Sequence, residues 1–190
     1  MSKLFRDIDI SAIKKHLIYS GCYNGVDLQY YEYVLNRAKE DKLIYSTDLE
    51  LAKIERVFSV LSDMKNKNKT VFKPLIFKTQ CCSVNVEFNN NVRPVYSCPE
   101  CKSWVTAHND FMPMGTLAHK KIRKLRSQLH SCFDNVCDKN TISRRNMYFL
   151  IANKLEKNPV DVHIGNVNCI NDAVDYFHAI QWVKSELTHN

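Results

Sequence analysis

Glycine and proline are scarce in this chain of 190 residues, at four and five respectively. That scarcity argues against a disordered or linker-rich polypeptide. No run of about 18 uninterrupted apolar residues occurs, which excludes a membrane-spanning helix. The opening residues, Met1 to Asp7, reach acidic side chains at once and lack the apolar core of a secretory leader. We therefore expect a cytoplasmic protein in reducing surroundings, with no membrane partner. A glycine-rich phosphate loop is missing too, and no Ser/His/Asp or Cys/His triad can be assembled.

What is present is an ordinary globular composition, 45% hydrophobic and 25% charged, with 27 Lys+Arg against 20 Asp+Glu. The excess of base is uneven. Residues 120–145 hold eight basic side chains (Lys120, Lys121, Arg123, Lys124, Arg126, Lys139, Arg144 and Arg145) against Asp134 and Asp138. Such a patch attracts phosphates or acidic protein surfaces.

Helical periodicity dominates the first 70 residues. Asp9 or Ser11 can cap a helix with Ile10, Ile13, Leu17 and Ile18 on one stripe, and Gly21 can stop it. A second helix starts near Asp27 and buries Leu28, Tyr31, Val34 and Leu35. A third, from Thr47 or Asp48, aligns Leu51, Ile54, Val57, Phe58 and Leu61. It dissolves into the polar run Lys65 to Lys69, which we take as a boundary between a helical unit, 1–69, and a second domain, 70–190. There the period shortens. Val84, Val86 and Phe88 alternate with Asn85 and Glu87, Asn89 to Asn91 supply turn chemistry, and Val92 to Ser97 return as a second strand. Three helices follow, capped by Thr116, by Thr141 or Ser143, and near Asn171. No internal repeat is evident. The expected class is α+β: an N-terminal helical unit, a zinc-ribbon-like β-hairpin, and C-terminal helices packed on it.

The hairpin carries cysteines at both ends. Cys98-Pro99-Glu100-Cys101 has the spacing with which a tight turn points two sulfurs at one ion, and Cys82 lies one hairpin length upstream. Zn2+ needs two further ligands to complete a tetrahedron. Adjacent residues of a strand face opposite sides, so Cys81 and Cys82 both ligate only if the backbone bulges. Otherwise one is a core cysteine, and His108 is the substitute fourth ligand. Cys132 and Cys137 are more remote choices. Free buried cysteines are common, and Cys22, Cys132, Cys137 and Cys169 read most simply that way.

Several ordered motifs extend from the cysteines. Cys98 to Cys101 is followed by Trp104-Val105-Thr106-Ala107-His108. Pro113-Met114-Gly115-Thr116-Leu117-Ala118 comes next, then His130-Ser131-Cys132-Phe133-Asp134. A helix with Ser143, Arg144, Tyr148 and Ala152 follows, and finally His163-Ile164-Gly165. Over about residues 79–183 this order resembles a family of zinc-finger-containing domains of unknown function (DUF3268) from bacteria and phages. The resemblance implies a zinc-finger domain and no particular activity. Where the family has an upstream Cys-x-x-Cys, this chain has Thr79 and Cys82. Residues 1–70 match nothing in it.

Three functions are compatible with these residues. The first is nucleic-acid binding, in which structural zinc stiffens the finger and a basic helix offers Lys120, Lys121, Arg123, Lys124 and Arg126, with Arg144 and Arg145, to phosphates. Trp104, Phe111 and Tyr96 would stack on unpaired bases. The second is an interaction protein of a phage, acting in the host cytoplasm, that binds a host protein through the tyrosines at 19, 23, 30, 31 and 33. The third is a metal-dependent nuclease using His108, Asp110, His130, Asp134 and His163. A structural role suits His130, Phe133 and Asp134 better, with Asp134 capping the segment that follows, so a non-enzymatic protein is the preferred reading.

Overall fold

The computed structural model describes residues 8–24, 26–40, 47–159 and 161–188. Met1 to Asp7, read above for a leader, lie outside the described residues. Among the described residues, six α-helices and a three-stranded antiparallel sheet make the chain α+β. They fall into two compact units, Met1–Leu117 and Ala118–Asn190.

In the first unit the helices begin where side-chain oxygens can cap them. Asp9 accepts from the Ala12 N–H at 2.8 Å and opens α1 (Ile10–Tyr19). Asp27 accepts from Gln29 at 3.1 Å and opens α2 (Leu28–Lys39). Thr47 accepts from Glu50 at 3.2 Å and opens α3 (Asp48–Lys65). Each cap satisfies a backbone donor that the helix itself leaves unpaired. Gly21, at φ +73°, turns the chain out of α1 in a left-handed conformation that costs glycine little. Ile13 and Leu17 of α1, Tyr31, Val34 and Leu35 of α2, and Val57, Val60 and Leu61 of α3 are buried together. Tyr31 is thereby a core residue, unlike Tyr19, which stays exposed.

The sheet is short: β1 (Glu87–Asn89), β2 (Val95–Ser97) and β3 (Trp104–Thr106), in that order. Phe88 faces Tyr96, and Tyr96 faces Val105. The third strand is an addition to the expected hairpin. Three residues are too few to display a period of two, and β3 is recognisable only through its register with β2.

The boundary expected at 69/70 runs through this unit. Leu75, Phe77, Tyr96, Val105 and Met112 share one buried cluster with the three helices. A polar network holds them there. Asp110, fully buried, accepts from the Tyr31 hydroxyl of α2 at 3.2 Å and from the Met112 N–H at 3.1 Å. Arg56 of α3 donates to the Asp110 carbonyl at 2.9 Å and to the Lys73 carbonyl. The Tyr96 hydroxyl accepts from Leu75 N–H at 2.7 Å and donates to the Phe111 carbonyl at 2.8 Å. The polar run at 65–69 marks the end of α3 but not the end of its core.

The second unit is a three-helix assembly: α4 (Lys120–Asn140), α5 (Arg144–Lys154) and α6 (Ile170–Thr188), with a 3-10 turn at Ile164–Asn166. Leu129, Phe133, Met147, Ile151, Ile164, Ile180 and Val183 fill its core. The helix expected to start at Thr116 starts after His119, and Thr116 belongs to the first unit. Among the described residues no helix is long and apolar enough to cross a membrane.

Candidate metal centre

Two backbone knuckles face each other at one end of the sheet. In the first, Thr79 N–H donates to the Val84 carbonyl at 2.8 Å and Ser83 N–H returns to the Thr79 carbonyl at 2.9 Å. In the second, Cys98 N–H donates to the Ser103 carbonyl at 2.8 Å and Lys102 N–H returns to the Cys98 carbonyl at 3.1 Å. Ser83 and Lys102 both close their turns in the left-handed region, at φ 55° and 59°. Outside the turns, Lys78 pairs with Asn85 as Ser97 pairs with Trp104. The aromatic rings of Phe77 and Tyr96, one step further out in each arm, touch at 5.4 Å between centroids.

Residues 77–86 and 96–105 are therefore one structural unit used twice, nineteen positions apart. The sequence shows the repeat only as an aromatic residue, Cys82 with Cys101, and Val86 with Val105. This corrects the expectation that the chain has no internal repeat. Backbone hydrogen bonds, and not matched side chains, define a knuckle, so the sequence barely displays it.

This geometry brings Cys81, Cys82, Cys98 and Cys101 together, with all four sulfurs within 4.8 Å of one another. A tetrahedral ion bound to sulfur at about 2.3 Å would place its ligands about 3.8 Å apart, so the donors fit such an ion in number and spacing. Sulfur is also the donor that zinc and other soft or borderline metals accept best. Cys81 and Cys82 lie in a turn at 80–82, so the strand alternation that set them on opposite faces does not apply.

His108, the expected substitute for a fourth ligand, is not part of this group. It sits in the turn after β3, where its N–H donates to the Met112 carbonyl at 2.8 Å and its carbonyl accepts from Phe111 at 2.9 Å. Cys132 and Cys137, the more remote choices, lie on α4.

The environment of the sulfurs is uneven. Ser103, whose hydroxyl lies 3.2 Å from Cys101 Sγ, pulls the Cys101 thiol down to about 6 through side-chain and backbone hydrogen bonds. Cys98 is also lowered: burial is the largest influence and opposes ionisation, but hydrogen bonds from the Cys101 N–H, the Thr79 hydroxyl and the Glu100 N–H together outweigh it. Cys82 is pushed up to about 12, first by its hydrogen bond with Cys101 and then by desolvation. Close thiols cannot all ionise unaided, and a bound cation relieves the repulsion.

A zinc-finger-containing domain family, DUF3268, matches residues 73–181. The chain belongs to this family. No curated protein and no solved structure matches the chain. The zinc-finger domain thus begins in the segment that carries the first knuckle and runs through α4 and α5 into α6.

Within the domain the basic residues part company. Lys120, Lys121 and Lys124 are exposed on the first turns of α4, and Arg145 is exposed at the start of α5. Arg123 is half-buried and donates to the Ala118 carbonyl at 2.6 Å. Arg126 is buried, with Nε donating to the Val167 carbonyl at 2.8 Å and Nη2 to Asn168 Oδ1 at 3.2 Å. Arg144 is paired with Asp134 at 2.6 Å and lies over the Phe133 ring. Of the aromatic residues expected to stack on bases, Tyr96 is fully buried. Phe111 packs edge-on against Phe88, and Trp104 carries the Arg93 guanidinium on its face.

The candidate catalytic residues separate as well. Asp110 is the core anchor of the first unit. His130, Asp134 and His163 do come together in the second unit, linked through Arg144 and Tyr148. Arg144 lies 3.4 Å from His130 Nδ1, and because a guanidinium only donates, that nitrogen is the acceptor. Burial first, and then Arg144, lower the His130 pKa. His163 Nδ1 accepts from the Gly165 N–H at 3.0 Å, and its ring stacks on Tyr148 at 5.2 Å. These contacts tie α4, α5 and the 3-10 turn around Phe133. Asp134 performs this task by ion pairing, while Ser143 caps α5.

Proposed function

We propose that this chain is a nucleic-acid-binding protein in which Zn2+, held by Cys81, Cys82, Cys98 and Cys101, stabilises the finger, and the start of α4 meets phosphates. Four thiolates close the coordination sphere and leave no position for a reactive water, so the metal has a structural role. A nuclease is disfavoured on that ground.

The observation that carries the phosphate assignment is the composition of the α4 N-terminus. Lys120, Lys121 and Lys124 occupy its first turns, no acidic residue accompanies them, and its N-cap, His119, makes no side-chain capping bond. Cations in the first turn, Lys120 and Lys121, oppose the helix dipole, each at a cost of about 0.3–1 kcal/mol. The first N–H groups of a helix have no partner within it, and the His119 side chain offers them none. An approaching phosphate relieves both penalties. α5 also opens on cations, Arg144 and Arg145, with no acid in its first turn, but Ser143 caps it and Asp134 pairs with Arg144.

The test is fluorescence anisotropy with labelled duplex and single-stranded oligonucleotides across a salt series. Binding should weaken linearly in log–log form. Changing Lys120 and Lys124 to Glu should weaken it and lower the duplex slope by about 1.8, at about 0.9 for each phosphate no longer neutralised. Binding without salt dependence, or a double variant with unchanged affinity, overturns the proposal.

A further inference from the structure

The two knuckles are equivalent residue by residue, but their sulfurs are not. Matching hydrogen bonds set Thr79 where Cys98 stands, Cys82 where Cys101 stands, and Cys81 where Glu100 stands. Thr79 is as inaccessible as the ligand position it matches, at 2% exposure, and its hydroxyl donates to Cys98 Sγ at 3.7 Å. Glu100 is exposed, as the third position of such a turn should be, and so is Cys81. Yet the Cys81 sulfur reaches in to 3.3 Å from both Cys101 Sγ and Ser103 Oγ.

We infer that Cys81 is an out-of-register metal ligand: it supplies from the exposed rim the thiolate that the first knuckle lacks at position 79, and Thr79 occupies the vacated position as a hydrogen-bond donor to Cys98. A neutral hydroxyl is a poor partner for a thiophilic ion beside three sulfurs, whereas a donor to a ligating sulfur orients and stabilises that ligand. The centre is consequently lopsided. Cys98 is held by its knuckle and by Thr79 in the interior, while Cys81 is the ligand solvent reaches first and the one that exchanges.

Cobalt(II) loaded anaerobically into the full chain tests this, because thiolate-to-metal charge-transfer intensity counts sulfur ligands and the visible bands report tetrahedral geometry. Cys81→Ser should fall from a four-thiolate to a three-thiolate spectrum. Adding Thr79→Cys to it should restore the four-thiolate spectrum. Thr79→Cys alone should displace Cys81 from the metal and make it alkylatable by iodoacetamide in the loaded protein. Thr79→Val should keep four thiolates while binding cobalt about tenfold to a hundredfold more weakly. A four-thiolate spectrum in Cys81→Ser overturns the inference. So does a double variant that stays at three thiolates with its helical circular dichroism intact. Should Cys81→Ser fail to fold, Thr79→Cys still decides: Cys81 equally protected from alkylation with and without that change refutes the exchange.

Discussion

Arg126→Met separates a cation that builds the fold from one that could bind a ligand. Arg126 belongs to the basic run of α4, but it is 8% exposed and its guanidinium donates to the Val167 carbonyl and the Asn168 side chain. Desolvation lowers its pKa to about 10, which still leaves it charged at neutral pH. Methionine keeps much of the aliphatic stem and removes the donors. Hydrogen bonds from a charged group contribute about 1.5–3 kcal/mol each, and a carbonyl left buried without a partner costs about 1–3 kcal/mol. Relief of the guanidinium's own burial offsets part of this. The expected net loss is about 2–4 kcal/mol, read as the shift in urea unfolding followed by circular dichroism. For a unit of this size that corresponds to about 4–8 °C in Tm per kcal/mol. Lys124→Met, on the exposed face of the same helix, should stay within about 0.5 kcal/mol yet weaken nucleic-acid binding. The reasoning is refuted if Arg126→Met leaves stability within that margin and reduces affinity as much as Lys124→Met does.

Two buried groups of the first unit yield further expectations. Burial raises the Asp110 pKa above its ordinary 3.8, against the opposing pull of the Met112 N–H and nearby positive charge. Its contribution to stability is therefore full below about 4 and is lost as pH rises through the raised value. Urea midpoints of the native chain should fall over that window relative to those of Asp110→Asn, and a relative rise would contradict the assignment. Tyr96→Phe removes a hydroxyl that both accepts from Leu75 and donates to Phe111. It should cost about 2–4 kcal/mol in the same assay, and a loss below about 0.5 kcal/mol would show that the two backbone groups find other partners.

Much of the helical architecture is local and could be read from the residues. Asp9, Asp27, Thr47 and Ser143 cap where expected, since a cap needs only a short polar side chain followed by an apolar stripe. Cys82, Cys98 and Cys101 were recognisable by spacing. Cys81 was harder to place, because the alternation rule presumed a strand where the chain makes a turn.

The rest depended on packing between distant positions. An apolar stripe does not say which core an element joins, so Leu75, Phe77 and Tyr96 could not be assigned to the helices of residues 10–65. Nor does a lysine- and arginine-rich run reveal that Arg126 points inward to Val167 while Lys124 remains in solvent. The sequence by itself determined the class, four helix starts and three sulfurs, because caps and cysteine spacing are patterns of side chains along the chain. The three-dimensional structure alone decided the fourth sulfur, the repeated knuckle and the division of the basic residues, because the first two rest on backbone turns that side chains do not announce, and the last on burial against residues 41 positions away.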